Sequence, residues 1–243
     1  MYFLFSGEGE TDLGVGLHKG LCEGDAYLYG PLTLLTDRIV AEHRGYFYSL
    51  IESQYFGFIS KTDLIRRFDQ MKPLKKFKIP RGEIKYEQGT KYFRNNARAL
   101  ATIAKDIAKE KDDEVVAVLF RDSDGKNSSE QAEWEKKRDS MLNGFLDEDF
   151  KRGVPMIPKP VSEAWMLCGL YKQRDPQRNC SELESKSFGT GSQHQLKDKL
   201  EEELGEKPNH ELLCEKVKSR EINFDLADLE SYTKFRERLE EVI

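Results

Sequence analysis

The chain reads as a doubly wound α/β protein, with a mainly parallel sheet flanked by helices and a helical C-terminal set. Three observations predict this. Val115-Val116-Ala117-Val118-Leu119-Phe120 is an unbroken apolar run, as expected of a strand buried on both faces of a parallel sheet. Residues 90–110 put Leu100, Ile103, Ala104 and Ile107 on one helical stripe, with lysines crowding the end. Finally, short apolar runs alternate with helical stretches in the order β-α-β-α-β-(α)-β-α, the pattern that builds parallel sheets through helical crossovers.

The elements follow in order. Residues 2–6 are a buried first strand. Residues 31–43 have helical spacing, with Pro31 suited to a first turn. The mixed aromatics of 46–72 suggest a strand or two, then a short helix from Thr62 to Met71 with Ser60 as its cap. Residues 75–80 are a candidate parallel strand. After the strand at 115–120 comes a charged helix over 129–145 that carries Trp134, Met141 and Leu142. Val154 to Pro158 is a short strand, and Ser162 is placed to cap a helix through Tyr171. Residues 193–204, 210–218 and 227–242 form the closing helices, which should pack against the core.

Bulk properties narrow the function. With 243 residues the chain can bury one sizeable core. It is 38% hydrophobic and 34% charged, and no apolar run approaches the roughly 20 residues needed to span a bilayer. The N-terminus lacks the basic lead of a signal peptide, so a cytoplasmic, non-membrane protein is expected. A net charge of -5 argues against a chain that merely coats nucleic acid, but not against an enzyme whose acids are offset by bound cations. The basic stretch Lys72 to Arg81 is either a solvated edge or a phosphate-contacting surface. The four cysteines, Cys22, Cys168, Cys180 and Cys214, form no C-x-x-C pair, and the histidines have no H-x-x-x-H spacing. Free thiols in a reducing compartment, rather than zinc, are expected.

The chemistry lies in the acids that tip two strands. The first strand runs into Gly7-Glu8-Gly9-Glu10-Thr11-Asp12, and the strand at 115–120 runs into Arg121-Asp122-Ser123-Asp124-Gly125. Ligands of open parallel sheets sit beyond the carboxyl ends of the strands. Carboxylates crowded there repel one another and raise each other's pKa, and a hard cation such as Mg²⁺ or Mn²⁺ relieves that cost. Simpler roles stand beside this one. Glu10 and Asp12 suit helix-start acids facing a macrodipole, and Glu163 suits a first-turn helix charge. Gly14-Val15-Gly16-Leu17-His18-Lys19-Gly20 has the wrong spacing for either G-x-G-x-x-G or a Walker A loop.

Glu8-Gly9-x-Thr11-Asp12 after a first strand, with Asp122-x-Asp124 after a later one, resembles the Toprim fold of topoisomerases, bacterial primases and overcoming-lysogenization-defect nucleases. The closer likeness is to small Toprim-like proteins of the DUF4276 family. In these a later helix opens with E-x-W-L-L (here Glu163-Ala164-Trp165-Met166-Leu167) and an aromatic helix closes the chain (here Leu229 to Phe235, with Leu239). The sequence departs from the family pattern at Gly7, Asp12 and Met166.

The resemblance implies a single Toprim-like domain over 1–243, with an enlarged insertion at about 17–72 and C-terminal helices at about 193–243. By position it makes Glu8 the acid/base or bridging ligand, Asp122 and Asp124 metal ligands and Glu163 an added ligand, for one or two Mg²⁺ or Mn²⁺ ions. Two such ions about 4 Å apart would clamp the attacking and leaving oxygens of a phosphodiester. Lys159, just before the Glu163 helix, leads the candidates for stabilising the transition state, ahead of Lys126 and Arg121. Glu10 and Asp12 would support the ligands. The implied function is a metal-dependent endonuclease on DNA or RNA, serving as an anti-phage effector with a partner ATPase, because this chain has no Walker A of its own. A homo-oligomer is compatible with this reading. Two alternatives stay open. One is a haloacid-dehalogenase-like phosphatase with Asp122 as nucleophile, although Lys126 follows Gly125 where that motif wants Thr or Val. The other is a non-catalytic, metal-stabilised assembly module.

Overall fold

The computed structural model describes residues 1–9, 11–45, 48–71, 89–123, 130–185 and 192–243. Its centre is a five-stranded sheet in the order β3-β5-β1-β6-β7. Strands β1 (Tyr2–Gly7), β5 (Phe56–Ser60), β6 (Val115–Phe120) and β7 (Gly153–Met156) are parallel, and the short edge strand β3 (Cys22–Glu23) is antiparallel to β5. Strands β2 (Gly14–Gly16) and β4 (Tyr27–Tyr29) pair in a separate two-stranded ribbon.

The apolar runs become central strands because both their faces are covered. Successive side chains of a strand point to opposite faces. In β1, Phe3 and Phe5 enter one core while Tyr2 and Leu4 enter the other; in β6, Val116, Val118 and Phe120 oppose Val115, Ala117 and Leu119. The first core is closed by α1 (Pro31–His43), α6 (Glu163–Arg174), α7 (Ser192–Leu204), α8 (His210–Lys218) and α9 (Glu230–Val242). The second is closed by α3 (Lys61–Gln70), α4 (Lys91–Lys111) and α5 (Gln131–Asp147). A short helix, α2 (Leu50–Ser53), precedes β5.

Local chemistry explains several boundaries. Pro31 sits in the first turn of α1, where its missing N–H costs nothing. The Ser60 hydroxyl accepts from Asp63 N–H at 3.1 Å and caps α3. On α5, Gly144 lets α4 come close, since a Cβ there would lie 2.4 Å from the Arg94 carbonyl oxygen. The closing helix docks through Trp165, which stacks on Phe235 with ring centroids 5.7 Å apart and donates from Nε1 to Ser231 Oγ at 2.7 Å.

Some expectations need correcting. The stretch 17–72, expected as an enlarged insertion, supplies β3 and β5 of the central sheet itself. The stretch 14–16 is a strand of the small ribbon. Ser162 does not cap α6 with its side chain; it already has helical backbone angles, and its hydroxyl bonds elsewhere. The strand proposed at 75–80 and the basic stretch Lys72 to Arg81 lie outside the described residues. Among the described residues, no helix is long and apolar enough to cross a membrane.

Candidate metal centre at the carboxyl edge of the sheet

Strand order reverses between β1 and β6: from β1 the sheet grows through β5, and from β6 it grows through β7 on the other side. In open parallel sheets such a reversal is where a crevice forms at the carboxyl ends of the two strands and where ligands bind. Glu8 follows β1 directly, and Asp122 follows β6 by one residue.

The chain after β1 turns back sharply. Gly9 has φ +88, a left-handed conformation that favours glycine, and a Cβ on it would lie 2.3 Å from Asp12 Oδ2. Asp12 N–H donates to the Gly9 carbonyl at 3.3 Å. The Gly9 turn therefore delivers the Asp12 carboxylate to the strand end. No helix follows, so Asp12 is not the helix-start acid that the sequence suggested.

Ser162, just before α6, ties the two strand ends together. Its N–H donates to Asp122 Oδ1 at 3.1 Å, and its hydroxyl donates to Asp12 Oδ1. Residues 12, 122 and 162 are thereby joined across three separate loops. Glu163 begins α6, and its Oε2 is buried without a hydrogen-bond partner. Its Oε1 lies 3.7 Å from Lys197 Nζ on α7. Asp12, Glu163, Lys197, Thr11, Met166 and Lys207 are among the residues lining a cavity of about 200 Å³. A larger cavity, of about 920 Å³, lies against Tyr27, Phe56 and His210 and includes none of the proposed site residues.

The electrostatics follow from this crowding. Burial, the Glu163 charge and, more weakly, Glu8 raise the Asp12 carboxyl to about 7, against the lowering effects of the Ser162 hydroxyl and Lys197. Burial also raises Glu163, partly offset by its backbone bond and by Lys197. Glu8 is balanced differently: Lys61, the first residue of α3, lies 2.5 Å from its Oε2, and this bond raises the lysine. The Lys61 ammonium also sits 5.2 Å from the Tyr92 ring centroid.

The other proposed residues are placed as follows. Arg121 is fully buried and turned to structural use: it donates to Phe120 O at 2.6 Å, Asn96 Oδ1 at 3.0 Å and Tyr92 OH at 3.2 Å, bracing β6 against α4. Lys159 is buried; its ammonium donates to Gln131 Oε1 at 2.6 Å and lies 5.8 Å from the Trp134 ring centroid, so α5 holds it. Glu10, Asp124 and Lys126 lie outside the described residues. Among the described residues, the carboxylates do not gather as tightly as metal ligands do; the group of three whose ligand atoms all lie within 4.8 Å of one another is Cys168, Cys180 and Asp228. The sequence missed the centrality of Asp12, the bridging role of Ser162 and the approach of Lys197. The glycine three residues before Asp12, a residue type suited to a left-handed turn, was the available signal for the first; α7 carries no motif that points at the site.

A hard cation suits this donor set. Every proposed ligand is a carboxylate oxygen, Glu163 Oε2 is orphaned, and a cation would ease the mutual repulsion of Asp12 and Glu163. No family model, curated protein or solved structure matches the chain.

Proposed function

We propose that the chain is a Toprim-type, Mg²⁺- or Mn²⁺-dependent phosphodiesterase that cleaves nucleic acid. The observation that carries this reading is the cluster at the β1/β6 crevice. Asp12 and Asp122 are joined through Ser162, and the next residue, Glu163, presents a buried, unpartnered carboxylate oxygen. Stable cores do not ordinarily leave such an oxygen unsatisfied.

Asp12, Asp122 and Glu163 are the residues that would hold the cation, together with Asp124 by the order of the motif. A bound divalent ion supplies charge for the phosphoryl oxygens and lowers the pKa of its water. The chain's own residues do the rest. Ser162 fixes the orientation of two carboxylates. Glu8 Oε2, once Lys61 withdraws, accepts or returns a proton at the reacting oxygen. Lys61, displaced from Glu8, offers its ammonium to the phosphate. Lys159 and Arg121 stabilise the scaffold in this account. The partner ATPase, the anti-phage setting and the preference for DNA or RNA rest on the resemblance alone.

A second reading, a metal-stabilised assembly module without catalysis, is favoured by the Glu8–Lys61 ion pair, which occupies the proposed acid/base. The two separate in one experiment: purified protein is given Mn²⁺ or Mg²⁺ while thermal stability and cleavage of plasmid, single-stranded DNA and tRNA are followed. The nuclease reading expects cleavage that Glu8→Ala and Asp122→Ala abolish with the fold retained. Stabilisation by the ion without cleavage, even beside an ATPase partner, would establish the module instead.

A further inference from the structure

We propose that Cys168, Cys180 and Asp228 form a second metal site, for a zinc-class divalent cation, separate from the oxygen-lined centre. The sequence argued against zinc because no two cysteines are closely spaced. The fold supplies the proximity instead. Cys168 lies in the middle of α6, Cys180 precedes the short 3₁₀ turn Ser181–Glu184, and Asp228 precedes α9. Their ligand atoms all lie within 4.8 Å of one another, with Cys168 Sγ 3.7 Å from Asp228 Oδ1. Zinc bonds of about 2.3 Å to sulfur and 2.0 Å to oxygen in a tetrahedron place neighbouring ligands about 3.5 Å apart. The side chains need only small adjustments to close on an ion.

Charge and chemistry select the kind of ion. Two thiolates and a carboxylate carry three negative charges. The Lys172 ammonium, 2.5 Å from Asp228 Oδ2, offsets one, and a dication balances the remainder. Thiolate sulfur favours zinc and its soft relatives over Mg²⁺, so the two centres would not compete for one metal. Both cysteines are buried, whereas Asp228 has a 57% exposed side chain, which gives the ion an entry path and leaves the fourth position to water. Thiols bind such an ion as thiolates. The step balances as M²⁺ and two R–SH giving M(SR)₂ and two H⁺.

The ion would have a structural role. It would tie α6, which begins with Glu163, to the turn at 181–184 and to the start of α9. Glu184 in that turn already accepts from Ser231 N–H at 3.0 Å and Glu230 N–H at 3.0 Å.

The test uses the full chain in reductant, with all thiols first counted as free. Titration with Co²⁺ should produce a sulfur-to-cobalt charge-transfer band that saturates at one ion per chain. Zn²⁺ should bleach it, Mg²⁺ should not, and the unfolding midpoint should rise. Cys180→Ser should abolish the band. Asp228→Asn changes an exposed side chain and so keeps the fold; it should weaken binding by at least the roughly 10- to 100-fold that loss of a supporting partner costs. Cys214→Ser should leave binding unchanged. No band at one equivalent would overturn the proposal, as would a band that survives both Cys180→Ser and Asp228→Asn, or a Cys168–Cys180 disulfide that persists in reductant.

Discussion

Replacing Asp12 by Asn should make the metal-free protein more stable at alkaline pH and leave it unchanged in acid. In the folded chain the Asp12 carboxyl is raised to about 7 from its ordinary 3.8, chiefly by burial and by the charge of Glu163. A raised carboxyl holds its proton in the folded state while the unfolded state loses it. The stability tied to that proton is complete below pH 3.8, falls as pH rises and is gone above about 7. At about 1.4 kcal/mol per tenfold change in affinity, the full penalty by pH 8 is about 4 kcal/mol. Asp12 is partly exposed, and water reaching it trims this to about 2–4 kcal/mol. Asn removes the charge and still offers an oxygen to the Ser162 hydroxyl. In a chain of this size each kcal/mol moves the melting midpoint by about 2–4 °C. Thermal unfolding in EDTA should therefore show Asp12→Asn melting several degrees above wild type at pH 8 and level with it at pH 4. Mn²⁺ at pH 8 should raise the wild type and barely move the variant. A variant no more stable than wild type at pH 8, or equally stabilised at both pH values, would show that the Asp12 charge does not oppose folding.

Three further outcomes follow from the same geometry. Lys61→Met should change stability by less than about 1 kcal/mol, because the Glu8–Lys61 pair is 32% and 42% exposed; by freeing Glu8 it should tighten Mn²⁺ binding in calorimetry, and weaker binding would count against a site at the strand end. Arg121→Met should cost about 2–4 kcal/mol in urea unfolding, since the buried guanidinium bonds three groups, yet leave the rate of the folded fraction intact; a selective loss of rate would return Arg121 to the reaction. Gly9→Ala should cost about 1–2 kcal/mol for its left-handed backbone and also weaken Mn²⁺ binding, because the new methyl meets Asp12 Oδ2; unaltered binding would show that the Gly9 turn does not position the Asp12 carboxylate.

What could be read from the sequence was what depends on local pattern. The β6 run, the α1 helix at 31–43 with its first-turn proline and the Ser60 cap are each determined by neighbouring residues, and they fall where the pattern puts them. What escaped was set by distant contacts. The ribbon of β2 and β4 is too short to carry a periodic signal, and the edge strand β3 has only two residues. Ser162 looked like a cap because a serine before a helical stripe ordinarily is one; here Asp12 and Asp122, brought in by other strands, compete for its groups and win. The acids at the strand ends were visible as residue types. Their ranking was not, because Lys61 reaches Glu8 and Lys197 approaches Glu163 only through the tertiary fold. The meeting of Cys168 with Cys180 and Asp228 was hidden for the same reason.

The proposed function requires a cation seated between the carboxyl ends of β1 and β6. Crystals of the protein grown with Mn²⁺ and measured at the manganese absorption edge test this directly. An anomalous peak bonded to carboxylate oxygens of Asp12, Asp122 and Glu163 is the expected result. A map with manganese only elsewhere on the chain, or with those carboxylates turned away from any ion at saturating Mn²⁺, would exclude a cation at this strand end.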